Sequence, residues 1–160
     1  VQNLRLLTSE RVWSDASIHT RETLALAVLS VVAKRFEDCE DPPSVEAIAS
    51  RLNVPAHVVN DALQSLHDLG YVRPLENQDD VAEPLNCYLP ARPLEKITLA
   101  GFKEGFEQLG SNTAAHLLSQ GNAIIDHYER HMRNYAQTPE AQRNLRDLLA
   151  SMQDKAPERA

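Results

Sequence analysis

Cysteine is scarce in this sequence, and its placement excludes two common ways of stabilising a small domain. Among the 160 residues only Cys39 and Cys87 are cysteines, and they lie far apart without CxxC spacing. A disulfide framework or a zinc cluster needs several cysteines at short, regular spacings. The chain is long enough to form a hydrophobic core without either. We therefore predict a protein of a reducing, cytosolic compartment.

Long hydrophobic runs are also missing. The longest, Leu24 to Ala33, is interrupted by Ser30 and is about half of the roughly 20 residues that a membrane-spanning helix needs. The sequence begins at Val1 and shows no signal-peptide pattern. We therefore expect a soluble piece of a longer polypeptide.

Positive charge is scarce as well. The chain has 16 Lys and Arg against 23 Asp and Glu, which gives a net charge of −7 and a pI near 5.3. Affinity for nucleic acids comes largely from Lys and Arg side chains that displace counterions from phosphates. This balance argues against a large phosphate-binding surface.

Motifs typical of enzymes are absent, including a glycine-rich phosphate loop, a nucleophile elbow and an HxH cluster. His127 and His131 are one helical turn apart, a spacing that suits a metal, but zinc peptidases have Glu directly after the first His, where this chain has Tyr128. The acidic pair Asp79-Asp80 lies in a predicted loop. We predict no catalytic, cofactor-binding or metal-binding residues and no enzyme activity.

The pattern that is present is helical over the first half of the chain. Apolar residues at helical spacing predict a central helix from Arg21 to Phe36. Pro42-Pro43 forces an extended link after it. Ser44 is then a suitable N-cap for a short helix over 45–52.

The next elements complete a helix-turn-helix. Asn53 tolerates the left-handed conformation that ends a helix, and Pro55 suits the start of another. That helix is predicted over 55–69, and Gly70 stops it. Two short helices joined by a tight turn behind a longer helix are typical of a helix-turn-helix.

Alternating apolar residues follow Gly70 and predict two short strands, 71–75 and 87–90, joined by a wing over 76–86. Three more helices are expected, one capped by Thr98, one over about 112–135 and one beginning at Thr138-Pro139. The predicted fold is mainly α, a winged helix-turn-helix core with a small two-stranded wing plus C-terminal helices. We divide the chain into a lead-in segment (1–19), the winged domain (20–109), a helical extension (110–153) and a frayed tail (154–160).

The run from Val45 to Phe106 contains VEAIASRLNVPAHVVNDALQSLHDLGYV and, after the wing, YLPARPLEKITLAGFKEGF. This order resembles the cytosolic C-terminal domain of the YihY/BrkB family of bacterial inner-membrane proteins, which have carried the label ribonuclease BN. It also resembles the Rrf2 family of winged-helix transcription regulators. Cys87 alone lies beside the wing, whereas Rrf2 proteins that bind iron–sulfur clusters have several cysteines there. This difference favours the membrane-protein resemblance.

The predicted second helix of the helix-turn-helix has an acidic surface. It contains no Lys or Arg, and between Glu37 and Gly70 seven acids accompany the single base Arg51. A DNA-reading surface normally places base contacts on this helix and phosphate contacts on the wing. If the chain does read DNA, we expect these residues to contact it: His57, Asn60, Gln64, His67 and Arg73.

These observations favour a non-catalytic regulatory or protein-interaction domain at the cytoplasmic face of a bacterial inner membrane, as part of a YihY/BrkB-like protein. Its partner is expected to be a protein or its own membrane domain, with no cofactor and no nucleic acid. A homodimer through the C-terminal helices is a further option. The alternative function is an Rrf2-like DNA-binding regulator, and a weaker one is the nuclease that the old family label implies.

Overall fold

The computed structural model describes residues 13–75, 86–110 and 122–153. These residues form a mainly helical fold with one two-stranded antiparallel sheet. The chain divides into two compact units, the first ending at Arg92 and the second beginning at Pro93. The domain boundaries predicted from the sequence stay predictions.

In chain order the elements are α1 (Ile18–Glu37), α2 (Val45–Leu52), α3 (Ala56–Asp68), β1 (Val72–Pro74), β2 (Tyr88–Pro90), a 3-10 helix (Leu94–Lys96), α4 (Leu99–Glu107), α5 (Ala123–Ala136) and α6 (Leu145–Gln153).

Helix α1 is the centre of the first unit. The hydroxyl of Ser17 accepts a hydrogen bond from the backbone N–H of Thr20 at 3.1 Å, and this cap starts the helix three residues before the predicted Arg21. Ala25, Val28 and Leu29 are fully buried. The helix packs against α2, α3 and β2, as the prediction of a buried central helix required.

Helices α2 and α3 begin and end where the local sequence predicted. Ser44 accepts from the N–H of Ala47 at 3.2 Å, and Asn53 ends α2 in the left-handed conformation with φ of 54°. Pro55 precedes α3 in an extended conformation. The helix-turn-helix is therefore confirmed.

The sheet joins β1 to β2 with Val72 opposite Pro90 and Pro74 opposite Tyr88. The chain just before β2 also pairs with the link before α2, because the N–H of Val45 donates to the carbonyl of Asn86 at 3.2 Å. This fixes the start of α2 against the sheet. Of the wing predicted over 76–86, residues 76–85 lie outside the described part of the chain.

The second unit differs from the prediction at its last helix, which begins at Leu145 and not at Thr138-Pro139. The carbonyls of Ala141 and Arg143 accept hydrogen bonds from the N–H groups of Ala100 (2.7 Å) and Leu99 (3.2 Å). Carbonyls used in this pairing cannot serve a continuous helix. Residues 139–142 therefore form turns, and residues 141–144 lie against Thr98 and the first residues of α4.

Helix α5 begins at Ala123, where the side chain of Asn122 accepts from the N–H of Ile124 at 3.0 Å. The helix was predicted from about residue 112, and residues 111–121 lie outside the described part of the chain. Thr98 caps α4 as expected, accepting from Gly101 at 3.0 Å. Among the described residues no helix combines the length and apolar character that crossing a membrane requires.

Candidate nucleic-acid interface

Helix α3 has two chemically different sides. One side is buried in the first unit and includes Val59, Leu63 and Leu66. The other side is exposed, and its residues after Ala56 are all polar: His57, Asn60, Asp61, Gln64, His67 and Asp68. Because these positions recur every three or four residues, they form one continuous stripe along the helix. This is the position of the recognition helix in a helix-turn-helix, and α3 is called the recognition helix below.

A groove of about 380 Å³ runs beside this stripe. Its lining combines five residues of the recognition helix with one residue from each strand: Asn60, Asp61, Leu63, Gln64, His67, Pro74 and Tyr88. Three of the residues predicted to contact DNA, Asn60, Gln64 and His67, are therefore brought together. His57 is on the same stripe one turn earlier, and Arg73 is exposed on β1 without lining the groove.

Two residues of the stripe are oriented by a neighbouring carboxylate. Nε2 of Gln64 donates a hydrogen bond to Oδ1 of Asp68 at 2.8 Å. Nδ1 of His67 lies 3.7 Å from the same oxygen, a contact that becomes an ion pair when the imidazole is protonated. The carboxylate thus fixes the amide of Gln64 on the surface of the helix.

Some cations of the first unit are paired with carboxylates, and others are exposed near the helix-turn-helix. Nζ of Lys34 lies 2.7 Å from Asp38, and Nε of Arg35 lies 3.2 Å from Glu40, so two of them are partly neutralised. Arg51, in the last turn of α2, is exposed. Together with Arg73 it offers positive charge near the helix-turn-helix.

Arg92 has a role that the sequence analysis missed. Its Nε donates to the carbonyl of Gly70 at 2.9 Å, and its Nη2 donates to the carbonyl of Leu69 at 2.8 Å. Its guanidinium carbon also lies 4.6 Å from the centroid of the Tyr71 ring. Arg92 therefore holds the carboxyl end of the recognition helix. No local pattern reveals this contact, because 22 residues separate Arg92 from Gly70.

The two cysteines have different environments. Cys39 is exposed and Cys87 is buried beside the sheet. Burial raises the pKa of the Cys87 thiol above its ordinary value, and the nearby carboxylates of Glu46 and Asp41 raise it further.

Both His127 and His131 are exposed on α5. Within the described ranges, no group of three or more His, Cys, Asp or Glu side chains is arranged to hold a metal ion.

No protein-family model matches the chain, and no curated protein matches it in sequence. Several solved structures do match its fold. IscR from T. potens is similar with a TM-score of 0.64 and 13% identity, over 92% of this chain and 96% of that chain. CymR (YrzC), the global cysteine regulator of B. subtilis, is similar with a TM-score of 0.57 and 16% identity, over 82% of this chain and 95% of that chain. The oxidised form of Staphylococcus aureus CymR is similar with a TM-score of 0.56 and 16% identity, over 84% of this chain and 96% of that chain.

These neighbours are Rrf2-type winged-helix regulators, so the chain has the winged-helix fold of that group. These matches give no support to a YihY/BrkB domain, and the predicted function as a domain of such a membrane protein is wrong. The exclusion of nucleic acid as a partner is wrong as well. It relied on the net charge of the chain and on the lack of Lys and Arg in this helix, whereas phosphates are also contacted by backbone N–H groups and by neutral polar side chains.

Proposed function

We propose that this chain is an Rrf2-like DNA-binding transcriptional regulator. The observation that carries the proposal is the exposed polar stripe of the recognition helix, in a fold that matches Rrf2-type regulators over most of its length. A helix of this kind enters the major groove and contacts base edges with short polar side chains. The predicted absence of enzyme activity agrees with this class of protein.

The charge of the chain is compatible with the proposal, although it alters the expected binding. Phosphates are also contacted by backbone N–H groups and by neutral Ser, Thr, Asn, Gln and Tyr side chains. Arg51 and Arg73 are exposed cations on α2 and β1, two elements that pack against the recognition helix. Because they are few, we expect a shallow dependence of affinity on salt.

A second copy of the chain would double these contacts. Helix α5 contains no buried residue, and Ile124, Tyr128 and Tyr135 lie along one side of it, 80%, 63% and 56% exposed. An apolar stripe of this kind is stabilised by packing against another surface. We infer that two copies associate through α5, which would also match a two-fold symmetric DNA site.

The test is selection of duplexes from a random-sequence library at low salt, followed by fluorescence anisotropy with the enriched duplex. We expect enrichment of a defined sequence and tight binding of it. Asn60→Glu places a carboxylate on the recognition helix and should lower affinity at least about 10-fold, because it repels phosphates and removes a base contact.

The matched control is Asn134→Glu, the same chemical change at an exposed position of α5. It should leave DNA affinity close to that of the unaltered chain. If no sequence is enriched, or if Asn60→Glu binds the duplex as well as the control does, the proposed function is wrong.

A further inference from the structure

The recognition helix has an unusual set of base-reading side chains. Its exposed stripe contains two amides, two imidazoles and two carboxylates, with no Lys or Arg. Guanine is recognised in the major groove mainly by Arg or Lys, which donate to its O6 and N7 atoms. Adenine is recognised by Asn or Gln, which accept from N6 and donate to N7. The stripe therefore has the chemistry for adenine.

Asn60 and Gln64 are placed to act together. They are four residues apart on one helix, so their Cβ atoms lie about 5–6 Å apart, and both line the same groove. Successive bases on one strand are separated by about 3.4 Å along the helix axis. Two side chains at this spacing can therefore reach neighbouring or next-neighbouring base pairs. We propose, as an extension of the proposed function, that Asn60 and Gln64 select adenines in the DNA site.

The hydrogen bond from Gln64 to Asp68 supports this assignment. A carboxylate can only accept, so Nε2 of Gln64 faces Oδ1 of Asp68, at 2.8 Å, with one of its two hydrogens. Among the described residues, the amide oxygen and the second hydrogen of Gln64 have no other hydrogen-bond partner, and they are the acceptor and donor that adenine requires. Asp68 is thus a positioning residue for Gln64.

The rest of the groove suits the partner base. Pro74 and Tyr88 line it as well, and the carbon atoms of their rings are apolar. The thymine of an A·T pair presents a methyl group in the major groove, which apolar contacts recognise. The amides of the recognition helix and the apolar ring carbons of the strands therefore both favour A·T pairs.

The experiment compares the sequences selected from a random library by the unaltered chain, Asn60→Ala and Gln64→Ala. We expect enriched adenines, and each variant should lose the preference at one position, with discrimination there lowered roughly 5- to 150-fold. Replacing that adenine with 7-deazaadenine removes N7 without altering base pairing. It should weaken binding by the unaltered chain and have little effect on the corresponding alanine variant.

Asp68→Asn tests the positioning role. An asparagine can donate to the oxygen of Gln64 and reverse the amide, so preference at the Gln64 position should fall. Removal of a negative charge should at the same time raise affinity for all duplexes. A structural defect would lower affinity for every sequence, so the two readouts distinguish these causes.

Three outcomes separate this inference from the proposed function. Guanine at the positions that respond to Asn60→Ala and Gln64→Ala would overturn the inference and leave the DNA-binding function intact. If both variants select the same sequences as the unaltered chain, the inference is likewise overturned and the DNA-binding function is left intact. Absence of any selected sequence for the unaltered chain would overturn the proposed function and the inference with it.

Discussion

The guanidinium of Arg92 fills the space in which a Cβ atom on residue 70 would lie. Nη2 of Arg92 would be 2.9 Å from such an atom, and Gly70 has a φ of 71°. The N–H of Gly70 donates to the carbonyl of His67, and that of Tyr71 donates to the carbonyl of Leu66, each at 2.8 Å. This arrangement is a Schellman motif, to which Arg92 adds two further donors.

The first prediction concerns the side chain of Arg92. Arg92→Ala should lower the free energy of unfolding by about 1–2 kcal/mol, because two hydrogen bonds from a charged group and a contact with Tyr71 are lost at an exposed site. Urea unfolding measures the change. Arg92→Lys should lose less stability than Arg92→Ala but should not match arginine, because an ammonium group lacks the planar pair of donors that a guanidinium offers to two carbonyls. Equal stability of Ala and Arg at this position would contradict the assigned contact.

The second prediction concerns Gly70. Gly70→Ala should destabilise the chain by about 1–3 kcal/mol, because the left-handed conformation is costly for alanine and the new methyl group meets Arg92. In an Arg92→Ala background only the conformational cost remains. A double-mutant cycle by urea unfolding should therefore show a smaller effect of Gly70→Ala in that background. Strictly additive effects would show that the methyl group does not meet Arg92.

The third prediction concerns the pH dependence of the Cys87 thiol. Its pKa is raised in the folded chain by burial, and by Glu46 and Asp41, so folding favours the protonated thiol. The stability from this group is fully present below the pKa of the unfolded chain. It is lost as the pH rises through the folded-state value, above about 9.

Unfolding in urea at several alkaline pH values measures this loss, and Cys87→Ala should show a smaller decline. The reactivity of the thiols provides an independent check. With Cys39→Ala, labelling of Cys87 by a thiol reagent near neutral pH should be much slower than labelling of Cys39 in Cys87→Ala. Similar labelling rates would contradict the environment assigned to Cys87.

The fourth prediction concerns association through α5. Tyr128→Glu places a charge in the centre of the exposed apolar stripe, and it should weaken self-association at least about 10-fold. Sedimentation equilibrium over a range of concentrations measures this. Asn134→Glu, on the same helix but outside the stripe, is the control and should associate like the unaltered chain. Sedimentation of the unaltered chain as a monomer at all concentrations would argue against the dimer.

The fifth prediction concerns Arg73, which is exposed on β1. Arg73→Ala should weaken binding of the selected duplex and of unrelated duplexes by similar factors. The slope of log affinity against log salt should fall by about 1, as expected for loss of one phosphate contact. Arg133→Ala, which removes the same charge from α5, should leave the slope unchanged. A change of sequence preference with Arg73→Ala would instead indicate a base contact.

Much of the fold could be predicted because its signals are local. Ser44, Asn53 and Thr98 form their caps with residues a few positions away, and each end of a helix lies where these residues placed it. Gly70 ended α3 for the same reason. Such contacts depend on short stretches of sequence, so propensity and capping rules are sufficient to find them.

The errors arose where distant parts of the chain meet. The start of α6 depends on backbone pairing between residues 97–100 and 141–145, which no local pattern indicates. Arg92 had no predicted role because its partners precede it by more than 20 residues. The exclusion of DNA relied on the net charge and on the absence of Lys and Arg from α3. That reasoning considered cations and left out the neutral polar side chains of the stripe, which can also contact bases and phosphates.

The two ends of the recognition helix are capped differently. Its carboxyl end is held by Arg92 and the Schellman bonds, whereas Pro55 at its amino end provides no side-chain cap. The first turn can therefore rearrange without loss of a side-chain capping bond. If the chain binds DNA as we propose, the turn near His57 is the part of the helix that can adjust to operators of unequal groove width, and amide exchange should be fastest there.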